Sequence, residues 1–241
     1  MGLEAGLGEA LRTDYFLLRE EFTPAQLDYL ERTRRFVQEE VLPVINGYWE
    51  RAEFPWPLIK KLGGAGLVGG IQGYGCPELD PLSAGLVTME LNRGDGSLGT
   101  FLGVQAGLAM RSIAMLGSEE QKQRWLPDMA RLEKLGAFAL TEPDHGSDSV
   151  ALETTARRDA ESYVIDGTKK WIGNGTAADV VVVWARHPAG LPRHQAHGRH
   201  RGHPHLRRHR HHPEPHRRPG HHRRIRVQRR RCVNHHDQPS P

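Results

Sequence analysis

"FALTEPDHGSD" (residues 138–148) lies where the hydrophobic period of the chain changes. Phe138, Ala139 and Leu140 read as the end of a strand, and the polar residues after them as a turn. The turn brings together the hydroxyls of Thr141 and Ser147, several carboxylates and Gly146. Backbone N–H groups and hydroxyls at a strand end can hold a phosphate or the polar edge of a ring. The same residues also make an ordinary turn in which Asp144 and Ser147 bond their own backbone. Taken alone, they leave both readings open.

Upstream, the pattern is helical. Thr23 reads as an N-cap with Pro24 at the first helical position, and Leu27, Leu30, Phe36, Val37 and Val41 keep one apolar face. "PWPLIKKLGGAG" predicts a short helix ended by Gly63 and Gly64. The stretch from Pro81 to Gly117 suits two buried helices broken near "RGDGS", and Ser118 to Gln121 forms a capping box. Downstream, 135–142, 154–159, 162–173 and 178–186 read as strands, with Asp166–Gly167 as a hairpin turn. The predicted class is α+β: an N-terminal all-helical domain (1–134), a partial antiparallel β domain (135–186) and a disordered basic tail (187–241).

The tail dominates the averages. It holds 14 of the 15 His and 14 Arg against two acids, a net of +12 in a chain of net +4, so residues 1–186 carry −8. Without aromatic residues it cannot bury enough apolar surface to offset the entropy of ordering it. Of its 55 residues, 51 are types whose codons can begin with C or G. A shifted reading frame of a GC-rich gene produces that composition, so the tail reads as a frameshift product. The rival reading is a polycation that binds nucleic acid non-specifically through its charge. Cys76 and Cys232 make no disulfide framework, and no apolar run approaches the length of a membrane span. A soluble cytoplasmic protein is the default.

Residues 1–186 contain one His, His145, so no metal-ligand spacing arises there, nor is there a Walker or Rossmann glycine motif. Trp171 in "KKWIGNG" suits either a core aromatic or a flat wall for a planar ligand. Glu142 and Glu90 are acids of interest with ordinary structural readings.

"ALTEPDHGSDSVA" resembles the flavin-binding signature of the acyl-CoA dehydrogenases, and "KKWIGNGTAADVVVVWAR" resembles that family's second flavin-contact strand. The resemblance runs from about residue 14 to Arg186. "GYGC", "GSEEQKQRWLP" and "VVWAR" are similar to the glutaryl-CoA dehydrogenase branch, and "GTFLGVQ" and "WIGNG" to its short-chain acyl-CoA oxidases. The resemblance implies an FAD enzyme that dehydrogenates a short acyl-CoA and passes electrons to an electron-transfer flavoprotein or to O2. It implies that Phe138, Leu140 and Thr141 line the flavin ring and that Trp171 and Ile172 pack beside it. Ser147 then sits where cofactor and pantetheine meet. Gly173 stands where many members carry a hydroxyl, as it does in the oxidase-like relatives, and His145 replaces a small residue of the signature.

Gly99 and Asn92 stand where glutaryl-specific members carry an Arg and a Glu, which favours an uncharged acyl chain. The family's catalytic Glu belongs to a C-terminal helical bundle, so no catalytic residue is assigned here. Inactivity is the expectation for the chain as it stands. Homo-oligomers are the family's habit.

Overall fold

The computed structural model describes residues 17–160, 162–187 and 197–198 of the 241-residue chain. Helix α1 (Pro24–Phe36) starts where the sequence predicts. The Thr23 hydroxyl accepts from the Gln26 N–H at 3.3 Å, and the Gln26 side chain accepts from the Thr23 N–H at 2.9 Å. The predicted stripe is buried at Leu30 and Phe36 and continues through a π-helical segment, Val37–Val41. Leu27 is half-buried.

After α2 (Ile45–Glu50) and α3 (Trp56–Gly64), a glycine-rich loop leads to α4 (Pro81–Gly94) and α5 (Gly96–Leu102). The break expected near "RGDGS" falls at Asp95. Its carboxylate caps α5 by accepting from the N–H groups of Ser97 (2.9 Å) and Leu98 (3.1 Å), and also accepts from Trp49 Nε1 at 2.7 Å. A second π-helical segment (Gly103–Met110) leads into α6 (Arg111–Leu116), and α7 (Glu119–Ala130) opens on the predicted Ser118–Gln121 capping box.

Strands follow: β1 (Gly136–Ala139), β2 (Thr155–Asp159), β3 (Ser162–Asp166), β4 (Val180–Val183) and β5 (His197–Gly198). The class is α+β, as expected, but the pairing is not wholly antiparallel. β1 and β4 are parallel, with Phe138 opposite Val182. The β2–β3 hairpin lies between them in the chain, so β4 returns in the direction of β1. That hairpin and the β4–β5 pair are antiparallel.

The predicted Asp166–Gly167 turn is a second correction. The chain reverses between the paired residues Asp159 and Ser162, and Ala160 has φ +51°. Gly167 serves close approach instead, since a Cβ there would lie 2.4 Å from Thr154 Oγ1. Nor does the strand expected over 162–173 extend past Asp166, where its partner β2 begins at Thr155 and the pairing runs out. Apart from His187 and β5, the tail, with the expectation that it is disordered, lies outside the described residues.

One core spans both parts, from Leu62, Leu91 and Leu98 through Met110 and Met129 to Val180 and Val182. At its centre is Gln105, fully buried in the second π-helical segment. Its Nε2 donates to the carbonyls of Met129 (3.0 Å) and Lys134 (2.9 Å), and its Oε1 accepts from the Gly136 N–H at 2.7 Å. Gln105→Ala would leave the Lys134 carbonyl and the Gly136 N–H without a partner, while the Met129 carbonyl keeps the Leu132 N–H at 3.1 Å. An expected loss of about 2 kcal/mol or more follows from a cost of roughly 1–3 kcal/mol per stranded group. Urea denaturation measures it, and a variant as stable as the parent would refute the clamp.

Candidate functional site

The site begins where β1 ends. Phe138 is half-buried against Trp184, with ring centroids 5.8 Å apart. Leu140 and Thr141 lie just beyond the strand, half-buried, and both of their carbonyls are engaged by the segment 169–170. Lys169 Nζ donates to the Leu140 carbonyl at 2.9 Å, and the Lys170 N–H to the Thr141 carbonyl at 2.9 Å. The structure thus brings Phe138, Leu140 and Thr141 next to the segment that carries Trp171, Ile172 and Gly173.

Trp171 settles one of the open readings: it is no core aromatic. Its side chain is 82% exposed and its backbone is left-handed at φ +59°, with Lys170 Nζ 4.9 Å from the ring centroid. A non-glycine residue in that conformation costs about 1–2 kcal/mol. Such an exposed apolar face suits a wall for a planar ligand. Two residues further on, Gly173 joins Phe54, Phe101, Val104 and Asn174 in lining a cavity of about 330 Å³, whose lining includes neither Trp171 nor Phe138, Leu140 and Thr141. A Cβ at Gly173 would sit 3.0 Å from Val104 Cγ2, so the bare glycine keeps that wall open. These features suit a flat, partly apolar ring with a polar edge directed to the end of β1, and on that ground the residues fit a flavin.

Ser147 is not part of this cluster. It is exposed on the turn beyond, where its carbonyl accepts from the Ser149 N–H. His145 turns its ring to Glu153, with Nε2 3.2 Å from the carboxylate, and its carbonyl accepts from the Glu142 N–H.

Beneath the surface residues lies Glu142. One oxygen accepts from the Glu153 N–H at 2.6 Å, and the other from the Thr154 N–H at 3.0 Å and Lys169 Nζ at 2.7 Å. The ion pair is buried at both ends, with side chains only 5% and 3% exposed. Burial by itself would raise the Glu142 pKa, but the hydrogen bonds from Lys169, Thr154 and Glu153 outweigh it and hold the value at about 2. Lys169 moves below its ordinary value because burial outweighs the attraction of Glu142. Glu90 is held likewise by Arg34 (2.6 Å) and Arg93 (2.7 Å), and its pKa is lowered by them against the opposing effect of burial. Both acids are therefore fixed anions and not free bases.

Lys169, Val104, Phe54 and Asn174 carry no local pattern in the sequence that points to a site. A lone Gln in the apolar run around residue 105 was the one visible signal of a buried polar role.

Because the folded-state pKa of Glu142 lies below that of the free carboxyl, its stabilisation is complete above about pH 5. It is lost as pH falls toward 2 and amounts to about 3 kcal/mol. Glu142→Gln should flatten the stability–pH curve across that window. Thermal melts at stepped pH read the slope, and an unchanged slope would refute the assignment.

Profiles of known domains match most of the chain: the acyl-CoA dehydrogenase N-terminal domain over residues 23–133, and the middle domain over 137–205, past Arg186. An acyl-CoA dehydrogenase of Bacillus subtilis is 36% identical over 174 residues, covering 71% of this chain and 46% of that protein. The human mitochondrial short-chain specific acyl-CoA dehydrogenase is 37% identical over 158 residues, covering 65% and 38%. A crystal structure of a Mycobacterium smegmatis glutaryl-CoA dehydrogenase in complex with FADH2 superposes with a TM-score of 0.70. It is 41% identical and covers 72% of this chain and 45% of that one. For the butyryl-CoA dehydrogenase of Megasphaera elsdenii the TM-score is 0.64 at 30% identity, covering 68% and 44%. The chain spans less than half the length of these relatives. Among the described residues, no helix is long and apolar enough to cross a membrane.

Proposed function

Since the chain belongs to the acyl-CoA dehydrogenase family, we propose that it carries the flavin-facing half of an FAD enzyme that introduces an α,β double bond into a short, uncharged acyl-CoA. The observation behind this reading is Trp171, a strained and exposed indole on the segment whose Lys169 and Lys170 bond the end of β1 and whose Gly173 lines an open cavity. Bound there, FAD would supply the acceptor for the hydrogen that leaves the β-carbon with its electron pair. Phe138, Leu140 and Thr141 flank the ring's polar edge, Trp171 and Ile172 its face, and Gly173 the cavity. Ser147 is exposed and available to the pantetheine arm.

Substrate class follows from Gly99 and Asn92. A Cβ at Gly99 would lie 2.2 Å from Asn92 Nδ2, so the Asn92 amide, anchored to the Thr88 carbonyl at 2.8 Å, already fills the space a longer side chain would need. A distal carboxylate finds no guanidinium fork there. The α-proton needs a base within hydrogen-bond reach. Glu142 and Glu90 are bound in ion pairs, so in this reading the base comes from outside the described residues and the chain by itself does not turn over. A cytoplasmic location, homo-oligomeric assembly and an electron-transfer flavoprotein as acceptor belong to the same reading. Gly173 supports a second one, in which O2 takes the electrons, because no side chain stands between Val104 and the ring site. Non-specific nucleic-acid binding through the tail rests on its charge alone.

The purified full chain should take up FAD and form no crotonyl-CoA from butyryl-CoA. Protein that never shows flavin absorbance would overturn the cofactor reading, and product formation would overturn the absent base. Glutaryl-CoA should bind at least about tenfold more weakly than butyryl-CoA in equilibrium dialysis, as loss of a charge-assisted bidentate pair implies. Gly99→Arg alone should not reverse that order while Asn92 keeps its place.

A further inference from the structure

Three separated stretches of chain meet at one buried point: residues 140–142, residues 153–154 and Lys169. Lys169 Nζ spans the Leu140 carbonyl (2.9 Å) and a Glu142 oxygen (2.7 Å), while the same carboxylate takes the N–H groups of Glu153 and Thr154. One residue further along each strand of the junction, the Lys170 N–H bonds the Thr141 carbonyl at 2.9 Å. Thr141 and Trp171 are therefore each within two residues of the buried pair.

A buried ion pair gives little net stability over well-packed apolar residues of the same size, because desolvation offsets the attraction. What it does supply is one arrangement: the ammonium must meet both oxygens, and the carboxylate must meet both N–H groups. The neighbouring Trp171 needs such restraint, since its left-handed backbone persists only where the surroundings over-determine it.

We propose that Glu142 and Lys169 are positioning residues that set the distance and angle between the 140–141 edge and the 171–173 face of the ring site. The pair touches no ligand itself. It fixes the two surfaces that do, and it rests on the flavin reading above for what those surfaces receive.

The test uses the full chain and the double variant Glu142→Gln/Lys169→Met, which roughly keeps size, removes both charges and leaves one amide oxygen to accept from one of the two N–H groups. Its melting temperature should stay within a few degrees of the parent. Its dissociation constant for FAD, read by flavin fluorescence quenching, should rise at least about tenfold, a shift that loss of fixed geometry produces without unfolding. Lys169→Arg should recover most of the affinity, and Lys169→Met alone should lose both affinity and stability by stranding the carboxylate. In the absence of FAD, hydrogen–deuterium exchange over 168–173 should quicken in the double variant, with α4 unaffected. Parental FAD affinity with parental exchange would overturn the proposal, as would exchange that quickens equally in α4. If the parent itself takes up no FAD, the flavin reading falls, and the exchange comparison alone decides the positioning role.

Discussion

The Gln105 carboxamide sits in a fully buried position and spends its acceptor and both donor directions on the backbone of the helix-to-sheet junction. A polar group so placed is tolerable only when satisfied, so its position dictates where α7 ends and where β1 begins. Gly136 meets the same constraint from the other side, since a Cβ there would lie 2.6 Å from both Ala109 Cβ and Met129 Cε. The sheet takes its register from this point. β4 aligns on β1 with Gly136 opposite Val180, and Asp179 secures that start by accepting from the Leu135 N–H at 2.9 Å.

At its other end β1 runs into the Glu142–Lys169 pair. Its residues are thus held between a neutral clamp and a charged one, and Phe138, Leu140 and Thr141 lie in the span between. The two clamps differ in physical character. Gln105 joins backbone groups that would otherwise be stranded, so its removal shows chiefly in stability. The ion pair contributes little net free energy when both charges are replaced together, so its consequence is geometric. Glu90 shows a third use of a buried charge. Its arginine partners are about one-third exposed and tie α1 to α4, which braces the helical layer far from the ring site.

Much of the helical half was legible in the residues. The caps at Thr23 and Ser118 are local events in which a side chain meets an N–H group three residues on, so order along the chain suffices to find them. The existence of the strands was legible too, from valine runs and alternation. Their pairing was not. Asp166–Gly167 has the chemistry of a hairpin turn, yet Gly167 is needed where the backbone crosses Thr154, and the reversal occurs at Ala160, which carries no turn signature.

The same division holds at the site. "FALTEPDHGSD" and "KKWIGNG" together identified the family, because its signature lies in two short continuous stretches. In the sequence alone, Gly99 and Asn92 are legible as uncharged residues. Only the tertiary structure decided that Trp171 stands exposed, that Lys169 turns inward and that Gln105 joins the two halves. The partners concerned are 27 and 31 residues apart in the chain, and no local preference encodes a hydrogen bond across that distance. Such bonds exist only once the core has brought the segments together and removed the water that would compete for them.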